Sequence, residues 1–415
     1  MRATSLLKKL LGIKKTSVTG FVFGEDGLIV DVLPTTQVPV CSGCLRHAPK
    51  VHDTRERLWR HLDFGTMKVR LRSSLRRLKC PRCGVTTELV PWAQPQSWFT
   101  DAFEHTVAHL AQSAAKTFVA DTMRVAWSTV GSIVARFVDR HRGEDPLAGL
   151  THIGIDELSY RRHHEYVTVV VDHVKRRIVW AAPGKNADTL RSFFAELGAE
   201  RCAKLDTISI DMSGAYIAAV TECAPNARMV FDRFHVQRLA HDALDKVRRE
   251  QVRAVEDPDD RRVLKNTRFA LQKNPWNLDA IETGKLADVQ RTNEPLYRAY
   301  LLKESLAAIL DRRQPKVASR LLEDWESWAA HSKLAPFAKL ARTIRKYHDG
   351  IIAYVATGMS NGRTEGLNGK ARTITRRSYG LHSATSLIGM LFLCCSGLHL
   401  KPAHSTPSFH YSGSP

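Results

Sequence analysis

The sequence predicts a multidomain chain: a small metal-clamped ribbon and a helical pair lead into an α/β core that an all-helical segment interrupts. Three observations carry this expectation. Two Cys-x-x-Cys pairs stand near the N-terminus, the apolar pattern switches to strand-like runs after residue 150, and helical periodicity alone holds from about 254 to 350. A length of 415 residues accommodates two to four domains at about 150 residues each. With 43% hydrophobic and 25% charged residues, wholesale disorder is not expected. No run approaches the roughly 18 apolar residues of a membrane helix, so a membrane-spanning protein is excluded. The first ten residues are basic and only briefly apolar, with no small-residue cleavage site, and secretion is not expected.

Charge is the first functional clue. The 62 Lys and Arg against 42 Asp and Glu leave a net +20, the balance of a protein that meets a polyanion. Residues 1–100 carry 17 basic and 7 acidic side chains and residues 351–415 carry 6 and 1, whereas residues 151–200 carry 7 of each. Plain solubility would not segregate the charge in this way, and nucleic acid is the expected partner.

The first module, residues 1–97, contains Cys41-Ser-Gly-Cys44 and Cys80-Pro-Arg-Cys83-Gly84, 35 residues apart. Two such turns supply four thiolates to one tetrahedral structural Zn²⁺, and the intervening segment is long enough for the hairpin of a zinc ribbon. A disulfide pair is improbable in an intracellular chain. His47, His52 and His61 could replace a ligand, but four cysteines already fill the shell; Cys202, Cys223, Cys394 and Cys395 lack the spacing and read as buried hydrophobes. Arg55, Arg57, Arg60, Lys68, Arg70, Arg72, Arg76, Arg77 and Lys79 crowd the ribbon, a density that suits phosphate contact. Trp59 reads as a packing residue.

The second module, residues 98–145, begins with Phe103, Val107 and Leu110 at helical spacing. A helix over about 113–122, a turn near 123–126 and a helix from Ser128 to about His141 suggest a helix-turn-helix, which would aim Ser128, Thr129, Ser132 and Arg136 at a DNA groove. An ordinary helical hairpin has the same periodicity; the basic flanks favour DNA reading. Gly143-Glu-Asp-Pro146 marks a linker.

From 146 to 253 the chain reads as strands at 152–156, 166–172 and 177–182, a helix at 188–197, a strand at 207–211, a helix at 213–222, a strand at 228–232 and a long helix to about 253. Three strands in succession imply an antiparallel meander, and the helical crossovers imply parallel pairing thereafter. This is a ribonuclease H-like order. Asp156 and Asp211 then end neighbouring strands as a carboxylate pair. Residues 254–350 form the all-helical insertion, with Trp276, Leu301, Leu302, Leu306, Leu321, Leu322, Trp325 and Trp328 as expected core positions. Residues 351–400 return to the core and 401–415 form a tail. In the stretch Ser360-Asn-Gly-Arg-Thr-Glu365, Asn361 can cap a helix that presents Glu365, closely followed by Lys370, Arg372, Arg376 and Arg377. Alone among such cations, Glu365 would read as a surface ion pair.

Together these segments resemble the DDE transposases of bacterial insertion sequences, specifically the ISL-three family, over nearly the whole chain. The marks are the two cysteine knuckles, Ile-Gly-Ile-Asp156-Glu, Ile-Asp211-Met-Ser-Gly-Ala-Tyr, Phe-Asp232-Arg-Phe-His235-Val and Ser-Asn-Gly-Arg-Thr-Glu365-Gly-Leu-Asn-Gly-Lys. The resemblance implies a catalytic, metal-binding triad of Asp156, Asp211 and Glu365, with the N-terminal modules reading the element's terminal inverted repeats. It implies two Mg²⁺ ions per site, about 4 Å apart and replaceable by Mn²⁺, which three carboxylates suit because hard cations take oxygen ligands. It further implies target DNA as a second partner, at least a dimer during reaction, and a cytoplasmic, nucleoid-associated bacterial protein. Asp232 and His235 read as supporting residues, and Asp172 and Glu157 as weaker rivals. A DNA-binding regulator would explain the N-terminal modules but not the triad; a nuclease that cuts without joining would explain both.

Overall fold

Along the strand Met67–Cys80 valine and leucine alternate with polar residues, and along Gly27–Pro34 burial alternates in the same way, which buries Val30, Val32, Val69 and Leu71. The computed structural model in which this is seen describes residues 2–143, 145–161, 165–359, 365–377 and 383–402, with backbone alone at Tyr160, Arg161, Glu365 and Asn368. It divides into two units, Met1–Gly143 with Phe392–Cys394 and Leu398–Pro415, and Glu144–Leu391 with Cys395–Gly397. No helix among the described residues is long and apolar enough to cross a membrane.

In the first unit, α1 (Ala3–Leu11) precedes β1 (Thr16–Gly24), β2 (Gly27–Pro34), β3 (Val51–Phe64), β4 (Met67–Cys80) and β5 (Gly84–Thr87). The sheet order is β1-β2-β4-β3, with β5 paired to β4. The β3–β4 hairpin is the expected ribbon, and its two strands of 14 residues close the distance between the cysteine knuckles. Trp59 is fully buried and meets Trp92 edge to face, ring centroids 5.5 Å apart. Three helices follow, α2 (Asp101–Ser113), α3 (Lys116–Met123) and α4 (Trp127–His141). The helix-turn-helix thus starts three residues later than expected, because residues 113–115 belong to the end of α2 and the break after it. Arg124 ends α3 in the left-handed region at φ 53°.

The second unit holds β6 (His152–Arg161), β7 (Glu165–Asp172), β8 (Arg177–Pro183), α5 (Ala187–Leu197), α6 (Ala199–Cys202), β9 (Thr207–Ile210), α7 (Gly214–Cys223), β10 (Arg228–Phe231) and α8 (Arg233–Ala254). Its sheet runs β10-β9-β6-β7-β8, antiparallel from β6 to β8 and parallel from β6 through β9 to β10. This is the ribonuclease H-like order the sequence implied. One expectation is corrected: Asp156 lies inside β6, not at its end, because β6 continues to Arg161 against β7 after its pairing with β9 stops.

The helical segment comprises α9 (Pro258–Lys265), α10 (Arg268–Gln272), α11 (Ala280–Thr292), α12 (Glu294–Leu310), α13 (Pro315–Ala330), α14 (Ala335–Lys346) and α15 (His348–Thr357); α16 (Glu365–Arg377) and α17 (Ala384–Cys395) complete the order. It shares one continuous core with the sheet: Ile208, Phe231, Val236, Leu306, Trp325 and Phe337 belong to a single apolar cluster. Leu302, Leu306, Leu322 and Trp325 are buried as expected. Trp276, in the short 3-10 turn Pro275–Asn277, is 74% exposed, and Leu301 on α12 and Trp328 on α13 are exposed too, because each lies off the buried face of its helix.

Candidate active site and nucleic-acid interface

The parallel pairing of β6 with β9 matches His152 to Thr207, Ile153 to Ile208 and Gly154 to Ser209. Continued two residues, that register sets Asp156 level with Asp211. The pairing of β10 with β9 matches Phe231 to Ile210, so Asp232 falls level with Asp211 in turn. Three aspartates therefore stand side by side where β9 and β10 end. Backbone amides help to fix each one. Asp156 Oδ1 accepts from Glu157 N at 2.7 Å, Asp211 Oδ1 from Ser213 N at 3.0 Å, and Asp232 Oδ1 from Phe234 N at 3.3 Å as the N-cap of α8. Asp156 and Asp211 are half-buried and Asp232 is buried.

All three line one cleft of about 1020 Å³, shared with Glu157, Tyr216, His235 and Arg238 and, from α16, Arg372 and Arg376. Carboxylates on one wall and guanidinium groups on another suit a phosphodiester, whose negative oxygens the cations attract while the acids hold hard metal ions. Burial, then the charge of Asp211, pushes the Glu157 carboxyl above its ordinary range. Burial likewise raises the Tyr216 hydroxyl, which lies 2.8 Å from Thr168 Oγ1. Glu365 opens α16, but its side chain lies outside the described residues, as does all of 360–364 with Asn361. Lys370 is exposed and Arg377 half-buried on the same helix. Asp172 is placed elsewhere: buried at the β7–β8 turn, it accepts from Val174 N and Lys175 N at 2.9 and 3.0 Å. Tyr216 and Arg238 went unnoticed in the sequence; Tyr216 sits in the Met-Ser-Gly-Ala-Tyr stretch that follows Asp211, the one signal that could have found it.

In the first unit the Sγ atoms of Cys41, Cys44, Cys80 and Cys83 all lie within 4.8 Å of one another, the one such group of three or more candidate ligands among the described residues. Four converging thiols fit tetrahedral Zn²⁺. Backbone amides of Cys83 and Arg82 pull the Cys80 thiol down, whereas burial and the neighbouring cysteines push the Cys83 thiol up, so the cluster carries four thiolates only around a cation. The histidines stand apart: His47 and His52 are exposed, and buried His61 bonds Thr100 Oγ1 at 2.9 Å.

The cations expected on DNA are largely engaged inside the protein. Arg72 binds Asp31, Arg76 binds buried Glu88, Arg77 binds Asp53 and Arg60 binds Asp63. Arg57 donates to Ser97 O, and Arg136 reaches Glu104 at 2.6 Å. Strand pairing explains Arg72, Arg76 and Arg77, since it sets each beside an acid that sequence distance conceals. Arg55, Ser128 and Ser132 are exposed and Thr129 is half-buried.

Comparison with known proteins agrees with this arrangement. A family model described as "Transposase", of the DDE ISL3 type, matches residues 153–391. A zinc-finger model of the transposases IS204/IS1001/IS1096/IS1165 matches 37–83, and the helix-turn-helix model of transposase family ISL3 matches 88–138. The chain is 39% identical, over 96% of both sequences, to the transposase for insertion sequence element IS1557 of Mycobacterium tuberculosis, in strains CDC 1551 / Oshkosh and ATCC 25618 / H37Rv. It is 29% identical to the transposase for insertion sequence element IS1001 of Bordetella parapertussis, over 90% of this chain and 94% of that one. The chain belongs to the ISL3 family of DDE transposases, enzymes that cleave and transfer DNA, with a structural zinc ribbon and a helix-turn-helix as DNA-binding domains.

Proposed function

We propose that this transposase binds the terminal inverted repeats of its insertion sequence and carries out cleavage and strand transfer with Asp156, Asp211 and Glu365 as catalytic carboxylates. The observation that carries the reading is the common register of Asp156 and Asp211, facing a cleft walled by the helix that Glu365 begins. Three carboxylates fit two Mg²⁺ or Mn²⁺ ions, and Cys41, Cys44, Cys80 and Cys83 fit one Zn²⁺. What divalent cations supply when bound is neutralisation of phosphate charge and activation of the attacking hydroxyl.

The protein's own part is positioning. Asp156 and Asp211, fixed by backbone amides, hold the metal side of the scissile phosphate; Arg372 and Arg376 draw its non-bridging oxygens from α16. In cleavage, water oxygen bonds to phosphorus as the bond to the 3′ oxygen breaks, and that oxygen takes a proton. In transfer, the freed 3′-OH attacks a target phosphodiester and a target 3′ oxygen leaves. The two steps are the same exchange with different nucleophiles, so one cleft serves both.

The division of labour is residues 1–97 and 98–145 for end binding, with 146–253 and 351–400 forming the catalytic core around the helices of 254–350. Exposed Arg55, Ser128 and Ser132 support the first assignment. Joining two element ends to one target requires at least a dimer in the complex, acting at the bacterial nucleoid. The test incubates the zinc-loaded chain with a labelled duplex of the element end, a supercoiled target plasmid and Mg²⁺. Joined product is expected. Nicks without joining would make it a nuclease, and binding with neither would make it a regulator.

A further inference from the structure

Within the first unit, the chain after the second buried tryptophan returns along β3. Arg60 N donates to Trp98 O at 2.9 Å, Thr100 N donates to Arg60 O at 3.0 Å, and Phe99 bridges Arg60 in parallel. The backbone of Trp98 is thereby pinned to the strand, yet its side of the chain stays in solvent: Trp98 is 65% exposed. The Arg57 guanidinium carbon lies 4.6 Å from its ring centroid, and Arg57 Nη2 donates to Ser97 O at 2.8 Å, which holds the guanidinium against the ring. A large aromatic that is rigidly held and left wet is an unsatisfied surface, since burying it would stabilise the fold.

Trp98 forms one side of a groove of about 290 Å³ lined by Arg60, Lys68, Arg70 and Arg124 with Leu58 and Phe99. Arg60 and Arg124 share the single carboxylate of Asp63, Arg70 faces exposed Asp26 at 3.2 Å, and Lys68 has no acid partner among the described residues. Four cations thus meet two acids. The array is also stiff. Arg124, in the left-handed turn between α3 and α4, donates to Thr66 O at 2.9 Å and ties the helix-turn-helix to the tip of the β3–β4 hairpin.

We infer that this groove holds one sugar–phosphate strand of the bound DNA, with the Trp98 ring packed on a deoxyribose and Lys68, Arg70 and Arg124 against neighbouring phosphates. A polyanion answers the charge, and the apolar face of a sugar answers the ring, which an acidic peptide does only in its charge. This rests on end binding by the first unit and specifies where on that unit the backbone runs.

The test measures binding of the full-length, zinc-loaded chain to a labelled duplex of the element end and to a scrambled duplex, over a range of salt. Trp98→Ala is expected to weaken both about tenfold with an unchanged salt slope, and Trp98→Phe to restore most of the loss. Lys68→Gln is expected to lower the slope by about 1. Unchanged zinc content and circular dichroism exclude misfolding as the cause. Parental affinity in Trp98→Ala, or a Trp98→Phe as weak as the alanine variant, overturns the inference. A parent that binds both duplexes equally defeats end recognition by the first unit, while the Trp98 variants still decide the groove. A parent that binds neither overturns both.

Discussion

Asp211 lies at the register level of Asp156, one strand across, at the point where β9 ends and β6 runs on alone against β7. Beyond that point both carboxylates line the same cleft, with Asp232 beside them. Asp156→Asn and Asp211→Asn keep side-chain shape but remove a charge from the metal side, so strand nicking at a labelled element end should fall by orders of magnitude while end binding persists. Glu365→Gln should do the same. Asp232→Asn should cost less, since Asp232 caps α8. A dead Asp232→Asn beside an active Glu365→Gln would make Asp232 the third carboxylate.

Zinc removal should act on the first unit alone. Four thiols that converge within 4.8 Å repel and desolvate one another as thiolates unless a cation lies among them, so binding energy there is folding energy. Cys44→Ser, or chelation of the parent, should abolish about one bound Zn²⁺ per chain and end binding with it. Elemental analysis beside a gel-shift assay reads both.

The order of strands, the crossovers and the cysteine knuckles were legible in the sequence because each rests on local pattern: apolar runs bounded by turns, or ligand spacing. The β1–β2 hairpin was not, since most of β1, residues 19 and 21–24 included, is exposed and shows no alternation. Nor was the fate of the arginines. Arg72 and Asp31 are 41 residues apart, and only the parallel pairing of β2 with β4 makes them partners. Trp276 and Trp328 misled for the converse reason: tryptophan in a helical stretch reads as core, yet Trp276 sits in a three-residue 3-10 turn and Trp328 on the exposed face of α13.

His61 gives the first unit a pH dependence. Its Nδ1 lies 2.9 Å from Thr100 Oγ1, which itself accepts from Phe103 N as the N-cap of α2. A neutral imidazole meets that hydroxyl as donor or acceptor according to its tautomer, whereas a protonated ring brings a charge into a buried site. Burial, with Arg60 nearby, depresses His61 to about 4 from 6.5. The folded state thus favours the neutral ring, so its stability is complete above about 6.5 and declines as pH falls from there toward 4, by up to about 3 kcal/mol. Urea unfolding of the zinc-loaded chain from pH 7.5 to 4.5 should show this slope, and His61→Gln should flatten it.

Arg136 and Arg140 both close on Glu104, which is 1% exposed on α2, with distances of 2.6 Å from each guanidinium. They fasten α4 to α2. Glu104→Gln leaves two cations at a buried acceptor of no charge and should cost about 3 kcal/mol. Thermal denaturation reads the cost, and end binding should fall in parallel as α4 loosens. Loss of binding in Arg136→Ala without loss of stability would instead put Arg136 on DNA.

Gly350 tests the link between the helical segment and the catalytic sheet. It faces Phe231, the last residue of β10, so closely that a Cβ would stand 2.4 Å from the ring and 3.4 Å from Met229 O. An alanine in α15 gains at most about 1 kcal/mol of helix propensity. Overpacking a filled core costs about 1–3 kcal/mol, so the overlap wins and Gly350→Ala should destabilise the second unit. The ring must move, and Asp232 is the next residue on the chain, so nicking should weaken more than end binding does. Trimming the obstacle separates the two causes: Phe231→Leu combined with Gly350→Ala should recover much of the stability lost by the single variant, as contacting residues do in a double-mutant cycle. Additive losses in that cycle would mean that the helix does not bear on the sheet at Phe231, and that the tightness there has no part in holding Asp232.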